Sequence, residues 1–132
     1  MPQKTILVVD DAEFNRELIV QLLSDDYNVV EAVDGQDGLT KAEQEKPDLI
    51  LMDLGMPVMD GWEATRRIRQ MPGGGAVRII ALTAQAMAGD EQKALAIGCD
   101  DYLAKPVVDP EMVREKVERL LKKYGPTLAA VH

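Results

Sequence analysis

This 132-residue chain has a single cysteine, no long apolar run and few basic residues, and each shortage excludes a kind of structure or partner. Its single cysteine, Cys99, excludes an intramolecular disulfide and a cysteine-based metal cluster, and is typical of a small buried side chain in a reducing compartment. No apolar run approaches the ~20 residues that a membrane span needs, and the first residues lack a signal-peptide pattern. We therefore expect one globular domain in the cytoplasm, without membrane insertion.

Positive charge is also scarce. Lysine and arginine number 15 against 23 aspartate and glutamate residues, a formal net charge of −8. This balance argues against direct nucleic-acid binding, because that binding depends on basic side chains that neutralise phosphates. It favours divalent cations or basic protein surfaces as partners, although solubility alone would also explain it.

Apolar segments of strand length alternate with segments of helical periodicity along the whole chain. Five strands are predicted, at residues 5–10, 27–32, 49–53, 77–83 and 101–104. Such alternation predicts an α/β fold, with a doubly wound five-stranded parallel sheet covered by helices on both faces. The economical strand order is 2-1-3-4-5, which makes a flavodoxin-like (βα)5 three-layer sandwich.

The predicted helices show which side faces the sheet and where some of them end. The apolar stripe of the first helix is predicted to comprise Phe14, Leu18 and Leu22, widened by Ile19 and Leu23. The arginines of the third helix, Arg66, Arg67 and Arg69, are predicted to lie on a solvated face. Gly98 is predicted as a left-handed cap after the fourth helix, and Asp109 as the N-cap of the fifth.

Polar side chains stand where the predicted strands end. They are Asp10 and Asp11 after the first strand, Asp53 on the third, Thr83 on the fourth and Lys105 after the fifth. The first and third strands are neighbours at the switch point of this order, so the three aspartates should meet in one crevice. Taken singly, each residue has an ordinary explanation, such as a helix cap, a strand end or a solvated surface position. Their joint placement points to a site.

Three adjacent carboxylates repel one another, and a divalent cation relieves that repulsion. All-oxygen ligands favour Mg²⁺, with Mn²⁺ also possible. The lysine and the threonine hydroxyl suit an anionic group rich in hydrogen-bond acceptors, such as a phosphoryl group. A carboxylate can act as a nucleophile through an aspartyl-phosphate, so Asp53 is the predicted acceptor.

Four motifs, in order and spacing, resemble the receiver domain of two-component response regulators over about residues 4–123. They are Val8-Val9-Asp10-Asp11, Asp53 with Met56-Pro57-Val58-Met59-Asp60-Gly61, Ala81-Leu82-Thr83-Ala84, and Asp101-Tyr102-Leu103-Ala104-Lys105-Pro106. The resemblance implies a phosphoacceptor switch that is not a conventional enzyme but assists its own phosphotransfer and autodephosphorylation. It also implies that residues 1–124 are the receiver and residues 125–132 a flexible tail.

The resemblance assigns a role to each site residue. Asp53 would be the phosphoacceptor, Asp11 a direct metal ligand and Asp10 a ligand through water, with the backbone carbonyl of Gly55 completing the metal site. Lys105 and the backbone amide of Ala84 would contact the phosphoryl group, and Lys105-Pro106 would be a cis peptide. Thr83 and Tyr102 would form a switch pair that changes the surface of the fourth helix, fifth strand and fifth helix.

The implied phosphodonor is a sensor histidine kinase or a histidine phosphotransfer protein, and the downstream protein partner is not named by the sequence. The chain would be a monomer or a phosphorylation-dependent dimer. It could act alone or be a module of a hybrid histidine kinase or a larger regulator. A small-molecule enzyme or a flavin-binding protein on the same fold is a further alternative, although Asp10-Asp11-Ala12-Glu13 would repel a flavin phosphate.

Overall fold

The computed structural model describes residues 3–56, 59–83, 90–105 and 109–124, in which strands and helices alternate throughout. The elements are β1 (Thr5–Val9), α1 (Glu13–Leu23), β2 (Asn28–Ala32), α2 (Gly35–Glu45), β3 (Leu49–Asp53), α3 (Gly61–Gln70), β4 (Arg78–Thr83), α4 (Asp90–Ala96), β5 (Asp101–Ala104) and α5 (Pro110–Tyr124). None of the helices in these ranges is both long and apolar enough to span a bilayer.

All five strands run parallel in the order β2-β1-β3-β4-β5, which confirms the predicted fold. At the carboxyl ends, Val9 pairs with both Ala32 and Met52, and Thr83 pairs with Ala104. This register aligns the last residues of the strands along one edge of the sheet. Whatever follows each strand therefore begins close to its neighbours.

The core has two layers because successive residues of a buried strand point to opposite faces of the sheet. In β1, Leu7 and Val9 join the layer under α2, α3 and α4, whereas Ile6 and Val8 join the layer under α1 and α5. All five residues of β3, Leu49–Asp53, are buried. A continuous apolar run is what a central parallel strand covered on both faces requires.

Asp34, Asp60 and Asp109 begin their helices by accepting backbone N–H groups of the first turn, from Asp37 (2.7 Å), Glu63 (3.0 Å) and Glu111 (3.1 Å) respectively. The prediction for Asp109 is confirmed. Gly98 has a φ of 114°, so the predicted positive backbone angle after α4 is also confirmed.

The predicted inner stripe of α1 is confirmed for Ile19, Leu23 and the partly buried Leu22, but it is wrong for Phe14 and Leu18. Phe14 is 76% exposed and Leu18 38% exposed, whereas Ile19 and Leu23 are buried. The inner face contains Arg16, whose guanidinium donates to the Asp10 carbonyl oxygen at 2.9 Å and to Glu31 at 3.0 Å. When a charged residue lies on the buried side of a helix, the spacing of apolar residues does not identify that side fully.

The prediction that all three α3 arginines are solvated holds for two of them. Arg66 and Arg67 are about half exposed and pair with Glu63, but the Arg69 side chain is only 18% exposed. Arg69 donates to the carbonyl oxygens of Gly74, Val77 and Gly98 and forms an ion pair of 3.0 Å with Asp100. This one side chain ties the end of α3 to the segments that enter β4 and β5.

Cys99 is 5% exposed, which confirms that it is a buried side chain, and burial raises the pKa of its thiol to about 11. We expect native protein to react with a disulfide reagent at pH 8 at least a hundredfold more slowly than unfolded protein, since the thiolate is scarce and shielded. Absorbance of the released thiolate, with and without guanidinium chloride, measures this. Equal rates in the two conditions would contradict it.

Candidate functional site

The structure brings the three predicted aspartates together at the carboxyl edge of the sheet. Asp10 follows β1 and is fully buried, Asp53 ends β3 and is 3% exposed, and Asp11 is exposed. One carboxylate oxygen from each lies within 4.8 Å of the others. The pairing of β1 with β3 places two strand ends side by side, and the third carboxylate faces outward from the same turn.

Lys105 reaches the same cluster from the end of β5. Its Nζ lies 3.0 Å from Asp53 Oδ2 and 3.5 Å from Asp10 Oδ2, and its backbone N–H donates to the Thr83 carbonyl oxygen at 2.7 Å. Burial alone would lower the pKa of this lysine, but its hydrogen bond to Asp53 and the two carboxylate charges outweigh burial and raise it. The lysine is therefore protonated at neutral pH and faces the two buried carboxylates as a cation.

Asp53 is held by both of its oxygens. Oδ2 faces Lys105, and Oδ1 accepts the backbone N–H of Gly55 at 3.0 Å. The chain after Asp53 turns back tightly, and the Gly61 N–H donates to the Leu54 carbonyl oxygen at 3.2 Å. This local loop orients the carboxylate toward the cluster. Pro57 and Val58 lie outside the described residues.

The surroundings of Asp10 disfavour its ionised form. Burial raises the pKa of its carboxyl group and the nearby Asp53 charge raises it further, against the hydrogen bond of 2.9 Å from the Ala12 N–H to Oδ1. The buried Oδ2 accepts no hydrogen bond from the described part of the chain, and Lys105 at 3.5 Å is too far to supply a good one. A buried oxygen without a donor, beside two more carboxylates, fits a hard divalent cation such as Mg²⁺.

Thr83 and Tyr102 lie on the neighbouring strands β4 and β5, with Tyr102 paired to Ala81 and Thr83 to Ala104. Thr83 is 8% exposed and ends β4, while Tyr102 is half-buried on β5 with Lys116 Nζ 5.4 Å from the centre of its ring. The predicted contact of the Ala84 amide and the predicted cis peptide at Lys105-Pro106 fall on residues outside the described ranges. Both stay predictions.

Two residues near the site were not identified from the sequence. Arg16 holds the backbone carbonyl of Asp10, and Lys116 lies over Tyr102 while pairing with Asp101 at 2.9 Å. For Arg16 a weak signal existed, since it stands three residues before the buried Ile19 and so belongs to the inner side of α1. Nothing in the local sequence indicates that Lys116 meets β5.

An Asp10→Asn variant tests whether the buried charge of Asp10 destabilises the metal-free fold. In EDTA at neutral pH we expect it to melt above the wild type, because an ionised buried carboxylate is replaced by a neutral amide. The folded-state pKa of Asp10 is raised, so the wild type should recover this difference as pH falls through that value. With free Mg²⁺ tenfold above its dissociation constant, the wild type should gain about 1.4 kcal/mol and the variant much less.

Thermal melts in EDTA and in Mg²⁺ measure both effects. The matched control is Asp25→Asn, which removes one charge at an exposed position beyond α1 and should change neither melt. A variant that melts below the wild type in EDTA, or that gains as much from Mg²⁺, would contradict the interpretation.

Comparison with known proteins adds an independent line of argument. The family model described as the response regulator receiver domain matches residues 6–124. The chain is 43% identical over 123 residues to the signal transduction histidine-protein kinase BarA of Escherichia coli, covering 92% of this chain but 13% of that protein. It is 42% identical to a 14.6 kDa protein of Leptolyngbya boryana, covering 86% and 88% of the two chains.

Among solved structures, the chain is similar to the receiver domain of the sensor histidine kinase PA1611 from Pseudomonas aeruginosa. That match has 40% sequence identity and a TM-score of 0.77, and covers 92% of this chain and 97% of the other. The structure of that relative is described with a magnesium ion coordinated in the active site cleft.

Proposed function

Because this chain belongs to the response regulator receiver domain family, we propose that Asp53 accepts a phosphoryl group from a histidine kinase or a histidine phosphotransfer protein. Receiver domains are phosphoacceptor switches and generally not classical enzymes, and this chain is a receiver. The observation that carries the proposal is the ion pair of 3.0 Å between the buried Asp53 and Lys105, beside two more carboxylates.

The transfer step follows from the arrangement of these groups. A carboxylate oxygen of Asp53 attacks phosphorus, the phosphorus–nitrogen bond of the donor phosphohistidine breaks, and its electron pair leaves with the imidazole nitrogen. Lys105 is within reach of the Asp53 carboxylate and neutralises charge on the phosphoryl oxygens as they pass through the transition state. The same groups support attack of water on the phosphorus of the aspartyl-phosphate, which breaks the bond to the Asp53 oxygen and releases inorganic phosphate, so slow autodephosphorylation belongs to the proposal.

Asp10, Asp11 and Asp53 would hold Mg²⁺, or Mn²⁺ in its place, with the Gly55 carbonyl as a further oxygen ligand. When bound, the cation neutralises charge on the carboxylates and on the transferring group. The donor-free oxygen of buried Asp10 supports this assignment. The exposed Asp11 leaves the cluster open on one side for water and for the incoming donor.

We assign the switch to Thr83 and Tyr102. The Thr83 hydroxyl would move toward the phosphoryl group together with the Ala84 amide, and Tyr102 would turn inward, changing the surface formed by α4, β5 and α5. The half-buried state of Tyr102 and its place on an edge strand support this assignment, because its ring has room on the protein surface. A shift from 1:99 to 99:1 needs about 5.5 kcal/mol of differential stabilisation. Dimerisation of the phosphorylated form would be one measurable consequence of this change in the surface.

The first turn of α1 is the proposed contact for the phosphodonor. Phe14 in this turn is 76% exposed, Leu18 in the next turn is 38% exposed, and α1 begins shortly after Asp10 and Asp11.

The chain spans 13% of the length of BarA and 88% of that of the Leptolyngbya protein. Both a module of a hybrid kinase and a small separate regulator are therefore proposals of equal standing.

The proposal is tested with a small-molecule donor that has a phosphorus–nitrogen bond, phosphoramidate. Incubation with Mg²⁺ should add the mass of one phosphoryl group, and hydroxylamine should remove it, as expected for an acyl phosphate. EDTA should suppress the reaction. Labelling that resists hydroxylamine, or that proceeds equally fast in EDTA, would refute the proposed chemistry.

A further inference from the structure

A cavity of about 360 Å³ opens at the end of the sheet opposite to the carboxylate cluster. Residues that precede or begin three strands line it, namely Lys4 before β1, Asp48 before β3 and Arg78 at the start of β4. Small-molecule sites commonly have volumes of roughly 300–1,000 Å³. The cavity is separated from the phosphoacceptor by the length of the strands, so the proposed function does not use it.

The inner wall of this cavity is aliphatic. Ile68 of α3, Met71 just after α3, Val77 before β4, and Leu121 of α5 contribute to it. No Phe, Tyr or Trp is among its lining residues, all of which belong to the described chain. A flat aromatic ligand would therefore find no stacking partner, whereas a flexible aliphatic chain can fill such a wall by apolar contact alone.

The residues that line the cavity carry a net positive charge. Neither Lys4 nor Lys46 forms an ion pair with any residue that the structure describes. Asp48 is the one acidic lining residue, and its Oδ2 already accepts the Thr5 N–H at 2.9 Å. In a chain of net charge −8, two lysines beside one engaged carboxylate favour an anionic head group here.

Lys46 adds a second, independent observation. It caps α2 with φ 47° and ψ 60°, and it is the single non-glycine residue with positive φ in the described ranges. Glycine is the usual residue at this position, because a side chain in the left-handed region is unfavourable. Its N–H donates to the Ala42 carbonyl at 3.2 Å, which any residue could supply, so helix capping does not explain the lysine side chain. The lysine side chain is therefore available for a role other than capping.

We propose that this cavity binds a medium-chain aliphatic carboxylate. Its hydrocarbon chain packs on the aliphatic wall formed by α3, β4 and α5, and its carboxylate lies at the mouth between Lys4 and Lys46. The two halves of the ligand match the two halves of the site. The ligand binds independently of phosphorylation at Asp53.

The test is a titration of the ¹⁵N-labelled full chain with sodium decanoate, kept below its micelle concentration and followed by amide chemical shifts. Saturable shifts are expected at the amides of Lys46, Asp48 and Met71 and of residues 73–78, with the amides of Asp10 and Asp53 unmoved. Decane-1,2-diol and decyltrimethylammonium serve as the neutral and cationic matches. Both are expected to bind about tenfold more weakly, since they lose the charge-assisted contacts.

Two substitutions separate ligand binding from folding. Lys46→Gln should weaken decanoate binding about tenfold, whereas Lys93→Gln, at an exposed lysine of α4, should leave it unchanged. Lys46→Gly should lose the same affinity while melting no lower than the wild type, because glycine suits the left-handed backbone.

Several results would overturn this inference. They are an absence of saturable shifts, equal affinity for the cationic match, shifts confined to the carboxylate cluster, or equal weakening by Lys46→Gln and Lys93→Gln. None of them bears on phosphorylation of Asp53, which the phosphoramidate experiment tests separately.

Discussion

Replacing Asp53 with asparagine is expected to abolish phosphoryl labelling by phosphoramidate and Mg²⁺. The side chain keeps its size, so the hydrogen bond of 3.0 Å from the Gly55 N–H can persist through the amide oxygen. An amide has neither the charge nor the nucleophilicity of a carboxylate, and Lys105 loses its partner at 3.0 Å. We expect a loss on the order of 10³-fold or more in the rate of labelling, measured by intact mass.

The matched control for this substitution is again Asp25→Asn, which removes one carboxylate at an exposed position beyond α1. It should label at the rate of the wild type. Circular dichroism of Asp53→Asn should show the native helix content, so that loss of labelling cannot come from unfolding. Stable labelling of Asp53→Asn at the rate of the wild type would remove Asp53 from its proposed role.

Gly61→Ala is expected to have the largest effect on stability. A Cβ at this position would lie 2.0 Å from the Asp53 carbonyl oxygen and 2.7 Å from the Leu54 Cα. Both are backbone atoms of the strand end that carries the phosphoacceptor, so they cannot rotate away. Moving them should reduce the free energy of unfolding by about 3 kcal/mol and the melting temperature by roughly 10–15 °C. Labelling of Asp53 should slow as well.

Gly75→Ala is the control that the chain itself offers. No atom lies within 4 Å of a Cβ built there, and Gly75 does not have a positive φ. Its effect on unfolding should stay within about 0.5 kcal/mol. Calorimetric melts of both variants decide the matter, and equal melting temperatures would show that the turn after Asp53 adapts more easily than its geometry indicates.

The strand order was predictable because its causes are local and regular. The continuous apolar run of Leu49–Asp53 marks a strand buried on both faces, and the structure places it in the middle of the sheet. The inner face of α1 was not predictable in the same way. Arg16 lies on the inner side of α1, where it donates to the Asp10 carbonyl oxygen. That acceptor lies outside the helix, so no periodic pattern within α1 predicts the contact.

It was predictable for a similar reason that the residues of the candidate site lie close together. Parallel strands end at one edge, so residues that follow them meet whatever the details of packing. The individual contacts were not predictable. Asp10 and Asp11 are adjacent in sequence, yet one is fully buried and the other exposed. Lys105 contacts Asp53 and also Asp10. Whether it reaches Asp10 or Asp11 depends on how β4 positions the end of β5 relative to β3.

The parallel fold, the residue types at each strand end and the family to which they belong can be inferred from the sequence, because strand periodicity and turn chemistry act over a few residues. The packed structure sets which groups share a low-dielectric environment. It raised the pKa of Asp10 through burial, brought Arg69 to the carbonyl of Gly98, 29 residues away, and opened the cavity under Lys46. Those effects depend on distances between segments remote in the chain, and such distances exist only once the two core layers have packed.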